Sequence, residues 1–242
     1  MEIGIYGLGR FGSFWGGYLA RHFPVKGYNR SRRGEVPEGI TIVSEEEVFD
    51  CDVLFYCVSI SSFREVLERT AGYIKSGTLI MDTCSVKLYP IRWMQEQLPE
   101  KVRILGTHPM FGPDSARGGI SGLPIVLCPV RISEDDFSVW MRIFQGFGLE
   151  VLRMSGDEHD HQAAYTQGVT HFIGRVLGEL ELEERPISTL GFKNLLGVIE
   201  QTCNDPWQLF LDLQRYNPYT DEMREGLSRA IEKMMEQLRK ME

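Results

Sequence analysis

Cysteine pairs, long apolar runs and surplus positive charge are all missing from this chain. The five cysteines (Cys51, Cys57, Cys84, Cys128 and Cys203) are odd in number and scattered, with no Cys-x-x-Cys pair. That argues against a disulfide framework or a zinc site and fits reduced thiols in a cytoplasmic protein. No apolar run approaches the ~20 residues of a membrane helix, so no membrane association is expected. Strand-like residues begin almost at once after Met1, where a leader would need a charged and then an apolar stretch. The formal net charge is -8, whereas a nucleic-acid partner calls for a basic surface. The sequence shows no internal repeat and no low-complexity stretch.

What is present is an alternation of short apolar strands and amphipathic helices. With 242 residues and 43% hydrophobic content, the chain can bury one large core or two small ones. Strands are expected at Glu2–Tyr6, Val25–Asn29, Ile40–Val43, Val53–Val58, Leu79–Asp82, Ile104–Gly106, Ile125–Cys128 and Glu150–Leu152. Helices are expected up to about Arg21 and over Ser62–Tyr73, Tyr89–Leu98 and Glu134–Phe147. This order implies an α/β fold with a doubly wound, Rossmann-type parallel sheet over residues 1–153. Residues 154–242 carry only helical patterns: Asp157–Glu181, Asn194–Thr202, Pro206–Tyr216 and Thr220–Met241. About ninety helical residues make a thin core, so this second, all-helical domain is expected to complete itself in a homodimer.

Gly7-Leu8-Gly9-Arg10-Phe11-Gly12 follows a strand and opens a helix, the context a dinucleotide fingerprint needs. Gly7 permits the tight turn, Gly9 lets the backbone approach a pyrophosphate, and Gly12 lets helix and strand pack closely. Arg10 and Phe11 belong to the same turn. The second strand then ends in Asn29-Arg30-Ser31-Arg32-Arg33. An NAD site usually places an acid there; here arginines and a hydroxyl suit a 2′-phosphate, so NADP is favoured over NAD. A solvated basic turn is the plain alternative.

The chemistry points to Gly106-Thr107-His108-Pro109-Met110-Phe111-Gly112-Pro113. A single histidine between glycines and prolines is expected on a loop of fixed shape. Beside a nicotinamide, such a histidine can deprotonate a hydroxyl while hydride leaves the same carbon. His159, His161 and His171, with Asp157 and Asp160, invite a metal reading, which we reject because hydride transfer needs no metal and His159 and His161 point to different helix faces. Gln167 and His171 lie one helical turn apart and can share a face, as pocket lining or as a helix–helix hydrogen bond.

These motifs, with Asp82-Thr83-Cys84-Ser85-Val86-Lys87, Glu158-His159-Asp160 and Gln167-Gly168-Val169-Thr170-His171, resemble the TyrA family of prephenate and arogenate dehydrogenases, most of all its compact NADP-using plant-type members. The resemblance runs in order along nearly the whole chain. It implies oxidative decarboxylation of a cyclohexadienol: hydride leaves the hydroxyl-bearing ring carbon, carbon dioxide leaves the para carbon, and the ring becomes aromatic. It makes His108 the base and Ser85 its neighbour, although Ser85 also fits a helix N-cap. It sets Thr107, Gln167 and His171 against the substrate. Aligning Gly191-Phe192-Lys193 with the family puts Gly197 where bacterial prephenate enzymes carry a carboxylate-holding arginine. Asp205 suits the ammonium of arogenate, or an N-cap before a helix whose first residue is Pro206. Arogenate is therefore favoured over prephenate or dual specificity, with Arg117, Arg175, Lys193 or a residue from the partner subunit as candidates for the ring carboxylate. A β-hydroxyacid dehydrogenase would want a lysine within Asp157–Gly178, which has none. A non-catalytic NADP-sensing protein is the rival from another class.

Overall fold

The computed structural model describes residues 1–31 and 37–240. The chain divides into two compact units, Met1–His159 and Asp160–Glu242.

The first unit is one eight-stranded sheet with helices on both faces. Its strands are β1 (Ile3–Tyr6), β2 (Val25–Tyr28), β3 (Ile40–Ile42), β4 (Val53–Tyr56), β5 (Leu79–Asp82), β6 (Arg103–Pro109), β7 (Pro124–Arg131) and β8 (Glu150–Arg153). The helices are α1 (Arg10–Leu19), α2 (Ile60–Thr70), α3 (Leu88–Gln97) and α4 (Glu134–Gly146). The strand order is β3-β2-β1-β4-β5-β6-β7-β8. Neighbours pair in parallel except β6 and β7, which are antiparallel. The expected all-parallel sheet therefore becomes a mixed one, because residues 110–123 join β6 to β7 without a crossover helix. Apart from Gly4, β1 and β4 carry only Val, Ile, Leu, Phe and Tyr and are buried along their whole length, as strands covered on both faces require. The core between the sheet and α1 and α4 centres on Trp15, Phe55, Trp140 and Phe144. The order reverses between β1 and β4, and a crevice beyond the carboxyl ends of strands at such a reversal is where open α/β sheets bind ligands.

Two serines cap helices. Ser133 caps α4 by accepting the Asp136 N–H, with three acids in the first turn. Ser155 accepts the Glu158 N–H at the start of α5 (Gly156–Ala163).

The second unit holds α6 (Val169–Gly178), α7 (Leu190–Asn204), α8 (Trp207–Arg215) and α9 (Thr220–Arg239). The helical pattern expected without a break over Asp157–Glu181 is interrupted by a π-helical turn at Ala164–Gly168. Gly174 lets α6 and α7 approach closely, since a Cβ there would lie 2.1 Å from Thr202 Oγ1. Of the apolar residues that a helical core here would have to bury, Val176 and Trp207 are exposed, and Phe172, Ile173, Leu195, Leu196, Leu209 and Phe210 are only half-buried. Among the described residues, no helix is long and apolar enough to cross a membrane.

Candidate active site

The glycine turn has the shape a pyrophosphate needs. Gly7 has φ 106°, a conformation that favours glycine, and its N–H donates to Tyr28 O at 2.9 Å. A Cβ on Gly12 would fall 1.9 Å from Gly7 O, so helix and turn could not close with any other residue there. A Cβ on Gly9 would meet nothing within 4 Å. Gly9 is also the N-cap of α1 and has no side chain to satisfy the first-turn N–H groups. Those donors, at Arg10, Phe11 and Gly12, suit an anion. The side chains of the turn do other work. Phe11 packs among Phe14 and Trp15, and the Arg10 guanidinium pairs with the Asp114 carboxylate, which also accepts from Arg117 at 3.0 Å. Beyond β2, Arg30 and Ser31 are exposed and Asn29 Nδ2 donates to Ser31 O. Arg32 lies outside the described residues.

His108 is not on a loop as expected. It lies in β6, paired opposite Val126 of β7, because the antiparallel return extends the strand through Pro109. Its fixity comes from the ladder rather than from the flanking glycines and prolines. Gly106 lies on the same face by the two-residue period, and its missing Cβ admits Ile91 of α3. His108 is 3% exposed, and its Nδ1 is 2.8 Å from Nε2 of His159 on α5. That contact leaves Nε2 of His108 as the nitrogen for a substrate hydroxyl. Burial, then the charges of His159 and Lys87, hold the imidazole well below its ordinary pKa, so it is neutral and able to accept a proton.

Beneath His108 lies a closed polar frame. Lys87 Nζ donates to the Asp82 carboxylate and, at 2.6 Å, to Thr107 O. The same carboxylate accepts the N–H groups of Cys84 at 3.0 Å and Thr107 at 3.2 Å. The Thr107 hydroxyl donates to Asp82 O. Asp82, Lys87 and Thr107 are fully buried. Thr107, expected against the substrate, gives its hydroxyl proton and its N–H to this frame. Ser85 differs. Its Oγ is buried without a partner, and the N-cap of α3 is Lys87, so the capping alternative does not hold. An orphaned hydroxyl on the segment after β5 fits a nicotinamide amide or a substrate hydroxyl. The thiols offer no alternative nucleophile here, since burial pushes Cys57 up to about 12 and Cys84 well above its usual range.

The second unit has its own polar face. Gln167 lies in the π turn and His171 one turn on in α6; Gln167 Oε1 and His171 Nδ1 are both buried without partners. His171 Nε2 is 4.0 Å from the Asp205 carboxylate. Burial, the largest influence, keeps His171 below its ordinary pKa despite that acid. Asp205 ends α7, and Pro206 is the N-cap of α8 rather than its first residue. The N-cap alternative for Asp205 fails because Trp207 is the first helical residue. Among the described residues, no cluster of His, Cys, Asp and Glu suits a metal.

The roles of His159 and the Asp82–Lys87 pair emerge only in three dimensions. Both lie inside sequence motifs, but nothing in one dimension says that residues 108 and 159 touch.

Residues 34–152 match the family described as prephenate dehydrogenase, nucleotide-binding domain, and residues 176–242 match TYRAAT1-like, C-terminal domain. Arogenate dehydrogenase 2, chloroplastic, of Arabidopsis thaliana is 35% identical over 98% of this chain and 70% of its own length. The chain belongs to the prephenate/arogenate dehydrogenase family. Arogenate dehydrogenase 1, chloroplastic, of the same plant is 36% identical over 98% of this chain, which spans only 39% of that relative's length. In fold, this family member is similar to the prephenate dehydrogenase of A. aeolicus solved with hydroxyphenyl propionate and NAD+ (TM-score 0.75, 19% identity, covering 98% of this chain and 90% of the other). It is likewise similar to Synechocystis arogenate dehydrogenase (TM-score 0.68, 18% identity, covering 98% and 93%). The dehydrogenase nucleotide-binding domain implies use of NAD or NADP, and the open turn at Gly9 and the orphaned Ser85 hydroxyl fit such a group.

Proposed function

We propose that this chain is an NADP-dependent arogenate dehydrogenase, converting arogenate to tyrosine by oxidative decarboxylation. The observation that carries the reading is His108, buried, neutral and held at one ring nitrogen by His159. A bound nicotinamide supplies the hydride acceptor. His108 Nε2 takes the ring hydroxyl proton, and its rotation is blocked by the Nδ1 contact and the strand it sits on. Ser85 orients the hydroxyl and the nicotinamide amide. The main-chain N–H groups following Gly9 hold the pyrophosphate. Gln167 and His171 line the substrate side chain, and the Asp205 carboxylate attracts its ammonium and disfavours a second anion.

The absence of an acid at Asn29-Arg30-Ser31 supports NADP over NAD. Gly197 supports arogenate over prephenate, since that position offers no cation and a Cβ there would meet nothing within 4 Å. Exposed Leu190, Ile231, Met234, Met235 and Leu238 on the second unit support a homodimer that covers them. The free cysteines fit a reducing compartment such as the cytoplasm.

The test is reduction of NADP and NAD, followed at 340 nm, with arogenate and with prephenate. Turnover mainly with arogenate and NADP is the expected result. Turnover mainly with prephenate overturns the assignments of Gly197 and Asp205, and NADP binding without turnover makes the protein a sensor.

A further inference from the structure

Arg175 is a half-buried cation of the second unit that the proposed reaction has not used. It follows Gln167 and His171 at the same spacing, so residues 167, 171 and 175 share one helical face. Each of the three has a buried polar atom without a partner: Gln167 Oε1, His171 Nδ1 and Arg175 Nε. The guanidinium is held from two sides. Nη2 donates to Asp205 O, and the carbon Cζ lies 5.3 Å from the Trp207 ring centroid and 5.9 Å from that of Phe210. The close approach of Gly174 to Thr202 brings the end of α7 beside residue 175. The two other candidate cations are poorly suited. Arg117 is mostly exposed and bound to Asp114, and Lys193 is exposed and bound to Glu184 at 2.6 Å.

We propose that Arg175 binds the side-chain carboxylate of the substrate, and that Arg175 and Asp205 together form a clamp for an α-amino carboxylate. The inference rests on the arogenate reading above. Arg175 offers Nε and its remaining Nη protons as a fork for a carboxylate, while the Asp205 carboxylate faces the adjoining ammonium. A keto acid satisfies only the arginine half. The clamp requires no ring carboxylate, so the amino acid product is a probe of it.

The product separates the two carboxylates, because L-tyrosine has the side-chain carboxylate and lacks the ring one. Binding of L-tyrosine, tyramine and 3-(4-hydroxyphenyl)propionate to the NADP-loaded full chain is measured by calorimetry for wild type, Arg175→Gln, Arg175→Lys and Asp205→Asn. Arg175→Gln should weaken L-tyrosine and hydroxyphenylpropionate by about tenfold or more and leave tyramine within about twofold. Asp205→Asn should weaken L-tyrosine and tyramine and spare hydroxyphenylpropionate. Arg175→Lys keeps the charge without the fork and should fall between. L-tyrosine affinity untouched by Arg175→Gln, with a raised KM for arogenate, would move Arg175 to the ring carboxylate and overturn the clamp. Equal losses for L-tyrosine and tyramine would reduce Arg175 to a support for α7, which also overturns it. Wild-type chain that binds L-tyrosine in the expected pattern but does not turn over arogenate would defeat the proposed reaction and leave the clamp standing.

Discussion

Two polar clusters, one in each unit, handle their buried groups in opposite ways. In the first, Asp82, Lys87 and Thr107 spend their donors and acceptors on one another under His108, and the orphaned Ser85 hydroxyl is next to that closed circuit in sequence. In the second, Gln167, His171 and Arg175 each keep a buried atom without a partner along one helical face. A satisfied buried network fixes geometry, whereas an unsatisfied one costs stability until a ligand completes it. The first arrangement suits a base that must not move. The second suits a surface that recognises a polar side chain.

The largest effect should come from the held base. His108→Ala is expected to lower turnover 10²–10⁴-fold, the usual contribution of general-base catalysis, with little change in the dissociation constant for NADP. Unchanged turnover would remove His108 from the chemistry. Lys87→Met breaks a buried pair and leaves Asp82 uncompensated, so denaturant unfolding should show a loss of about 3–5 kcal/mol. Arg175→Gln should cost about 1 kcal/mol or less in the same assay, since it removes one hydrogen bond and a cation–π contact. Similar losses for the two would erase the contrast between the units. Asp205→Asn should shift the ratio of kcat/KM for arogenate over prephenate by about tenfold towards prephenate.

The smallest effect is on pH. Burial with the charges of His159 and Lys87 lowers the His108 pKa, so the acid limb of kcat/KM should lie below pH 6.5. His159→Gln removes one of the lowering charges and should move that limb upward. The sign for stability follows from the same shift. Above pH 6.5 His108 is neutral in both states and its contribution is complete. As pH falls below 6.5 the unfolded chain takes a proton that the folded chain refuses, so stability declines. A limb that stays in place in His159→Gln would mean that burial and Lys87 set the pKa without His159.

Much of this was legible in the sequence. The strands were found nearly in place, because four apolar residues between turn signals are short and local. Gly7, Gly9 and Gly12 carried their roles openly, since each answers a local steric demand. His108 lies on a strand and not on the expected loop: Gly106 and Pro109 read as breakers, and only the antiparallel partner β7, with Val126 opposite His108, makes them strand. Pro206 was read as the first helical residue, yet it is the cap, a shift of one position that local preference does not resolve. The π turn at Ala164–Gly168 was hidden for a related reason, because a one-residue insertion leaves the helical periodicity on either side intact.

By itself, the sequence determined the order of elements, the nucleotide turn, the family and the identity of the central histidine, because these depend on residue type and on spacing along the chain. Only the tertiary structure decided that His159 holds His108, that Thr107 belongs to the frame of Asp82 and Lys87, and that Arg175 lies beside Asp205. Those pairs are separated by 20 to 51 positions, and it is strand pairing and helix packing that bring them to hydrogen-bonding distance.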